Sequence, residues 1–261
     1  MIRLAICIPC YGDTKAKFTL SLSQALIHFM ECKLLDHEGN SIPREVEIFM
    51  VSCSMLTESR HRLVGEALSW GATHLLWLDA DHVFPADTIP RLLAHNVDVV
   101  GANYARRSTP TAPTACRLDR NEDSEDIKNL VYTTLEKAQG GDLEEVAHLG
   151  FGVCLMNMTV LDMLQIHAER NGDGNFMPLF EMKATQGKHG MIGEDVFFFG
   201  KCREAGARIF CDHGLSWEVG HIGEMILTNA HANNHRERWT AKHQELADRY
   251  RNQIEQLEAA E

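Results

Sequence analysis

The chain has 261 residues, 44% of them hydrophobic, and a formal net charge of -12 at pH 7. A chain of this size can bury a substantial core, and the negative charge disfavours a surface built mainly to hold a nucleic-acid backbone, because that affinity comes largely from Lys and Arg. No apolar run approaches the roughly 18 residues of a membrane span, and the N-terminus enters a strand pattern without a signal-peptide core, so we expect a cytoplasmic protein with no transmembrane segment.

Strand and helix patterns alternate in the first part of the chain. Apolar residues that alternate or run together predict strands, and apolar residues at helical spacing predict helices. Such patterns predict strands at residues 3–9, 46–51, 75–78 and 97–101, and helices at 14–34, at 58–70 and after the capping residue Asp87. Strands that alternate with helices indicate an α/β fold with a largely parallel sheet and helices on both faces.

The second part of the chain begins with a predicted loop at residues 103–126, which is rich in Pro, Thr, Arg and acidic residues. Long loops in compact domains are usually functional or mobile. Beyond it, the patterns predict strands at 130–135, 146–156 and 208–211, and helices at 159–170 and 196–205.

A charged, helix-favouring segment runs from residue 231 to the end. Its large apolar residues are spaced by sevens and fours, namely Trp239, Leu246, Tyr250 and Leu257. This spacing predicts an amphipathic helix packed on its own domain, with a homodimer contact through this helix as the alternative. We therefore divide the chain into a main α/β domain at 1–228 and a C-terminal helical extension at 229–261.

Two carboxylates, Asp79 and Asp81, follow the apolar run at 75–78. An unpaired buried carboxylate is costly, so such a strand usually ends where a cation, a basic neighbour or water neutralises the charge. Ligands bind at the carboxyl ends of parallel strands, which places residues 9–12 and 52–54 beside this pair. Carboxylates at i and i+2 can both approach one hard divalent cation, and Mg2+ or Mn2+ at such sites commonly bridges to substrate phosphates.

A second acidic pair, Glu194 and Asp195, follows a glycine-rich stretch. One interpretation is helix capping, because acids in the first turn favour the helix dipole. The other is a catalytic or acceptor-binding role, since a carboxylate at a helix start can face a cleft and act as a base. Imidazole suits Mn2+, and of His213 and His221 the latter is the better candidate ligand, because its flanking glycines let the backbone approach a ligand closely.

The order of these segments resembles the glycosyltransferases of the GT-A fold, especially the compact family-2-like enzymes of bacteria and phages. The matching segments span about residues 3–223 and include AICIPCYG, THLLWLDADHVFPADTI, HLGFGVCLMN, GEDVFFFGKCREAGARIFCD and GHIG. The resemblance implies a Rossmann-like GT-A fold, with a mostly parallel central sheet flanked by helices. Its donor half would be about 1–105 and its acceptor half about 106–228.

The resemblance also implies a donor pocket. Pro9, Tyr11 and Gly12 would line the nucleotide, and Arg60 would contact the nucleotide or its phosphates. The donor would be a nucleotide sugar whose nucleotide is unknown.

The metal and catalytic residues follow from the same resemblance. Asp79 and Asp81 would hold Mn2+ or Mg2+ on the donor diphosphate, with Asp81 the more direct ligand and His221 completing the shell. Asp195 would be the general base of an inverting enzyme, which we favour over a retaining one. Glu194 would orient the acceptor or the helix.

The predicted function is therefore metal-dependent transfer of a sugar to an unidentified hydroxyl acceptor. The alternatives are a glycosyltransferase acting on a modified nucleic-acid base, a sugar-nucleotide nucleotidyltransferase and an inactive nucleotide-sugar-binding module. A thiol oxidoreductase would rest on Cys7 and Cys10 alone, and the scattered cysteines suit reduced core thiols better. Four loop arginines could form a groove for a nucleic-acid acceptor, although we favour their pairing with nearby acids: Arg106, Arg107, Arg117 and Arg120.

Overall fold

A computed structural model gives the architecture of the protein. It describes residues 1–108, 110–118, 130–172, 178–184, 191–223, 226–233, 240–245, 248–249 and 251. In chain order the strands are β1 Ile2–Cys10, β2 Arg44–Ser52, β3 His74–Leu78, β4 His82–Val83, β5 Val99–Gly101, β6 Cys116–Leu118, β7 Leu130–Tyr132, β8 Leu143–Val146, β9 Val153–Asn157, β10 Lys183–Ala184, β11 Met191–Ile192, β12 Ile209–Asp212, β13 Gly220–Ile222 and β14 Ile226–Thr228. The helices are α1 Ala16–Glu31, α2 Leu56–Trp70, α3 Thr88–Ala94, α4 Leu135–Gly140, α5 Thr159–Asn171, α6 Glu194–Glu204, α7 His213–Ser216 and α8 Asn229–Asn233.

A seven-stranded sheet forms the centre of the molecule, in the order β2-β1-β3-β9-β5-β12-β8. β1 pairs in parallel with β2 and β3, and β12 pairs in parallel with β5. β9 lies antiparallel between β3 and β5, and β8 is antiparallel to β12. Most of the strands therefore point the same way, and the predicted α/β class with a mostly parallel sheet flanked by helices is confirmed.

The central strands β1, β3 and β9 are buried on both faces of the sheet. Successive side chains of each strand point to opposite sides. In β1, Leu4 and Ile6 belong to a core layer that includes residues of α1 and α3, whereas Ala5 and Cys7 belong to a layer that includes residues of α2, α5 and α6. This arrangement explains why the central strands read as continuous apolar runs. It also leaves their carboxyl ends as the edge that carries polar loops.

The strand predicted at 146–156 is wrong over residues 147–152. Two strands occupy this region, β8 and β9, and residues 147–152 form a loop between them. The loop residues Ala147, Leu149 and Phe151 are buried in the core, so an apolar loop produced the same pattern as a strand. The strand predicted at 130–135 also ends early, because Thr134 caps α4 by accepting a hydrogen bond from the backbone N–H of Lys137.

The other predicted elements in the described ranges are present, with shifted ends. α2 ends at Gly71, whose φ of 75° is the left-handed conformation that glycine adopts without strain. Asp87 is the N-cap residue of α3 as predicted, although its side chain forms no capping hydrogen bond. α6 begins two residues earlier than predicted and so includes Glu194 and Asp195.

The C-terminal extension is described only in part. Residues 240–245 are helical, and the ring of His243 stacks on Tyr132 with centroids 4.9 Å apart. The apolar residues on which the dimer hypothesis depends lie outside the described residues, namely Trp239, Leu246, Tyr250 and Leu257. The homodimer therefore stays a prediction.

The cysteines and the helices bear on two further expectations. All eight cysteines are free, and burial raises the pKa of both Cys7 and Cys10. A redox pair needs the opposite shift, so the thiol oxidoreductase alternative gains no support. Within the ranges that the structure describes, every helix is too short or too polar to cross a bilayer.

Candidate active site

The carboxyl ends of β1, β2 and β3 meet at one edge of the sheet, as the parallel topology predicts. The backbone N–H of Cys53 donates to Cys10 O at 3.3 Å, and that of Lys15 donates to Ala80 O at 3.3 Å. Among the residues expected to line the nucleotide, Pro9 is buried, Tyr11 is 82% exposed and Gly12 turns the chain with a φ of 82°. An exposed aromatic ring therefore stands at the edge where a ligand would bind.

One carboxylate and two imidazoles form a cluster beside this edge. Asp81 Oδ1 lies 3.1 Å from His82 Nδ1, and Asp81 Oδ2 lies 3.5 Å from His221 Nε2. The imidazoles stack with centroids 4.3 Å apart, because β4 and β13 pair antiparallel and place His82 opposite His221. In the described part of the chain, these three side chains are the group that could hold a metal ion.

The hydrogen bonding of His221 fits a metal ligand. Its Nδ1 lies 2.9 Å from Ala105 O, and a carbonyl only accepts, so Nδ1 carries a proton. Nε2 is then the ring nitrogen left to face Asp81 Oδ2, and a cation between the two would take a ligand from each side chain. Burial raises the pKa of Asp81, but hydrogen bonds with His221 and His82 hold that pKa well below its usual range. The carboxylate and imidazole donors together suit Mn2+ and other first-row cations.

His213, the other candidate, lies elsewhere. It is fully buried in α7, and its Nε2 lies 2.7 Å from Glu144 Oε2. His82 was not predicted as a site residue, although it directly follows Asp81 in the sequence. No local pattern reveals its contact with His221, which depends on the pairing of β4 with β13.

Arg60 links Asp79, the first acid after β3, to Glu194 of the second acidic pair. Its buried guanidinium lies 3.4 Å from Asp79 Oδ1 and 3.5 Å from Glu194 Oε1, and 4.4 Å above the ring centroid of Phe151. Burial raises the pKa of Glu194, and Arg60 counteracts part of this effect. Asp79 thus pairs with Arg60 and is not a member of the Asp81 cluster in the described structure.

Asp195 pairs with a histidine that the sequence did not single out, His148. Asp195 Oδ2 lies 3.4 Å from His148 Nε2, and His148 Nδ1 donates to Thr114 O at 3.1 Å. Burial lowers the pKa of His148, but its interactions with Asp195 and Cys116 together outweigh burial and raise that pKa to about 9. Burial raises the pKa of Asp195, but its interactions with His148, the Val196 N–H and Arg60 together lower that pKa overall. The pair is therefore an imidazolium and an ionised carboxylate at neutral pH.

This pair predicts a pH-dependent stability. Because the pKa of His148 rises from 6.5 to about 9 on folding, its stabilising contribution is complete below pH 6.5 and is lost as the pH rises through about 9. We expect the difference in unfolding free energy between wild type and His148→Gln to shrink by about 1 to 3 kcal/mol between about pH 6 and pH 9.5. Urea unfolding at each pH measures it, and a difference that does not change with pH would show that folding leaves the pKa of His148 unshifted.

Tyr104 and Gly152 pack closely against the ring of His82. The Tyr104 hydroxyl accepts from the Gly152 N–H at 3.1 Å, and its ring lies 4.3 Å from that of His82. A Cβ added to Gly152 would lie 2.6 Å from His82 Cε1 and 2.7 Å from Tyr104 Cε1, which is too close for any side chain. The backbone of Gly152 also accepts from the Asp79 N–H. This glycine therefore sets the positions of both Asp79 and His82.

Gly152→Ala is expected to destabilise the protein by about 1 to 3 kcal/mol, because the added methyl group overpacks a rigid cluster of rings. Gly200→Ala is the matched control. Gly200 lies in helix α6, and a Cβ added there would have no atom within 4 Å. The control should leave stability unchanged or raise it. Thermal unfolding of both variants measures the effect, and equal melting temperatures would contradict the packing account.

The comparisons with known proteins concern the fold. No protein-family model and no curated protein matches the sequence. The crystal structure of A197 from STIV is similar over 88% of this chain and 92% of that chain, with 17% identity and a TM-score of 0.50. The crystal structure of GalNAc-T7 with UDP, GalNAc and Mn2+ matches 85% of this chain and 44% of that chain, with 13% identity and a TM-score of 0.48. The chain thus shares its fold with A197, and it has the α/β fold with a mostly parallel central sheet that the sequence predicted.

Proposed function

We propose that this protein is a metal-dependent glycosyltransferase that takes its sugar from a nucleotide-sugar donor. The observation that carries the proposal is the contact of Asp81 Oδ2 with His221 Nε2 at the carboxyl end of β3. A carboxylate oxygen and an imidazole nitrogen that face each other at the carboxyl ends of parallel strands can supply two ligands to one divalent cation. A bound donor and water would supply the remaining ligands.

Asp81 and His221 would hold the ion, and His82 would orient Asp81 through the contact at 3.1 Å. Imidazole favours Mn2+ over Mg2+, which prefers oxygen ligands. When bound, the ion would stabilise the negative charge that develops on the departing diphosphate. Asp79 would contact the donor or the ion through water, since Arg60 already holds its carboxylate.

The remaining donor contacts would come from the loop after β1. Tyr11 is exposed enough to stack on a base, and Gly12 lets the backbone approach the nucleotide closely. We propose that Arg60 acts mainly as a positioning residue, because its buried guanidinium fixes both Asp79 and Glu194. A direct phosphate contact would require it to leave these partners.

Asp195 would act as the general base. In an inverting transfer the acceptor oxygen bonds to the anomeric carbon, the bond from that carbon to the diphosphate breaks, and Asp195 takes the hydroxyl proton. His148 would hold the carboxylate ionised and oriented, and Glu194 would orient the acceptor. The acceptor itself is an unidentified hydroxyl compound.

Calorimetric titration with UDP, GDP, CDP and ADP, with and without Mn2+, tests the proposal. We expect one nucleotide to bind tightly and only in the presence of Mn2+. In a separate assay, the protein should slowly hydrolyse the sugar derivative of the nucleotide that binds. An inactive binding module would lack this activity. Failure of all four nucleotides to bind would contradict the donor site. Release of pyrophosphate from a nucleoside triphosphate and a sugar phosphate would instead indicate a nucleotidyltransferase.

A further inference from the structure

Arg107 contacts the carboxylate oxygen of Asp81 that also faces His221. Its Nη2 is 3.0 Å from Asp81 Oδ2, and its Nη1 donates to Ile222 O at 3.5 Å. His221 Nε2 lies 3.5 Å from that same Asp81 oxygen. A positive charge therefore already lies on the side of Asp81 where a metal ion would bind.

A guanidinium and a divalent cation compete for this oxygen. Both need its lone pairs, and two positive charges within a few ångströms repel each other. The Arg107 side chain is 50% exposed, and it contacts Asp81 and Ile222 at the edge of the site. It can therefore leave Asp81 without disturbing the core, whereas Asp81 is held by His82 on its other oxygen.

We propose that Arg107 exchanges between two partners, Asp81 in the metal-free protein and the donor diphosphate once the metal is bound. This inference rests on the proposed function, in which an ion at Asp81 and His221 carries the diphosphate. A planar guanidinium binds phosphate oxygens through two parallel hydrogen bonds, so the released side chain has a stronger partner nearby. The exchange weakens binding of the metal alone and strengthens binding of metal and donor together.

The exchange is tested by titrating wild type and Arg107→Gln with Mn2+. Electron paramagnetic resonance of the free ion measures how much Mn2+ binds. Without nucleotide, the variant should bind Mn2+ up to about fivefold tighter, because a half-exposed ion pair no longer competes. One of UDP, GDP, CDP and ADP should bind to the wild type when Mn2+ is present. The variant should bind that nucleotide with an affinity at least about fivefold lower. Calorimetry measures the second affinity.

Arg62→Gln is the matched control, because it removes the same charge from an exposed arginine of α2 that pairs with Glu58 at 2.8 Å. It should leave both affinities unchanged. Equal or weaker Mn2+ binding by Arg107→Gln would overturn the exchange, as would an unchanged nucleotide affinity. If neither wild type nor Arg107→Gln binds Mn2+, the metal centre itself fails and the exchange fails with it.

Discussion

Asp81→Asn is expected to lower the affinity for Mn2+ at least about a hundredfold and to abolish metal-dependent nucleotide binding. The substitution keeps the size of the side chain but removes the negative charge that His82, His221 and Arg107 surround. Mutation of a residue that only orients a metal ligand lowers metal affinity about ten- to a hundredfold. Loss of a ligand itself should therefore lower the affinity at least as much. Calorimetric titration of Mn2+, alone and with the nucleotide, measures both effects.

Asp87→Asn is the matched control for this variant. Asp87 lies on the same connection, six residues further on, but its side chain makes no capping bond and only a weak 3.9 Å contact with Arg91. It should bind Mn2+ as the wild type does. If Asp81→Asn folds normally and retains its Mn2+ affinity, Asp81 is not a ligand, and its pairing with Arg107 serves the structure alone.

Asp195→Asn is expected to lower turnover of the donor about 100- to 10,000-fold, while the affinity for the nucleotide changes less than about twofold. This range is what a positioned general base contributes to a reaction. The amide keeps an oxygen that can accept from the Val196 N–H, so the start of α6 should remain intact. Release of nucleoside diphosphate from the donor sugar, measured under saturating donor, gives the turnover.

The control for Asp195→Asn is Asp162→Asn. Asp162 is also an acid in the first turn of a helix, α5, and it is exposed. Both variants lose the same favourable interaction with a helix dipole, but only Asp195 faces His148. A comparable turnover in the two variants would assign Asp195 to helix capping and remove it from the mechanism.

The sequence was informative about the edge of the sheet and misleading about one loop. The apolar runs followed by Pro9 and by Asp79 placed both at the carboxyl ends of neighbouring strands, because the parallel topology admits few arrangements. Residues 147–152 were predicted as strand because they are buried and apolar, and period alone does not separate a buried loop from a strand. That loop carries both His148 and Gly152.

The partners of the predicted residues were beyond the reach of local patterns. Asp81 and His221, Arg60 and Glu194, and Asp195 and His148 are each far apart in the chain, and nothing in their spacing selects one partner over another. The choice of His221 over His213 used its flanking glycines, but the geometry distinguishes them by burial and by the pairing of His213 with Glu144.

The sequence by itself determined the α/β class, the edge at which a ligand would bind and the acidic residues on it, because periodicity and strand order are encoded in neighbouring residues. Only the tertiary structure decided which charges those acids face. His82 and His221 meet through antiparallel strand pairing, and Arg107 reaches Asp81 from a different loop. Contacts of this kind depend on how distant segments pack, and the resulting burial and charge neighbours set the protonation state of each carboxylate.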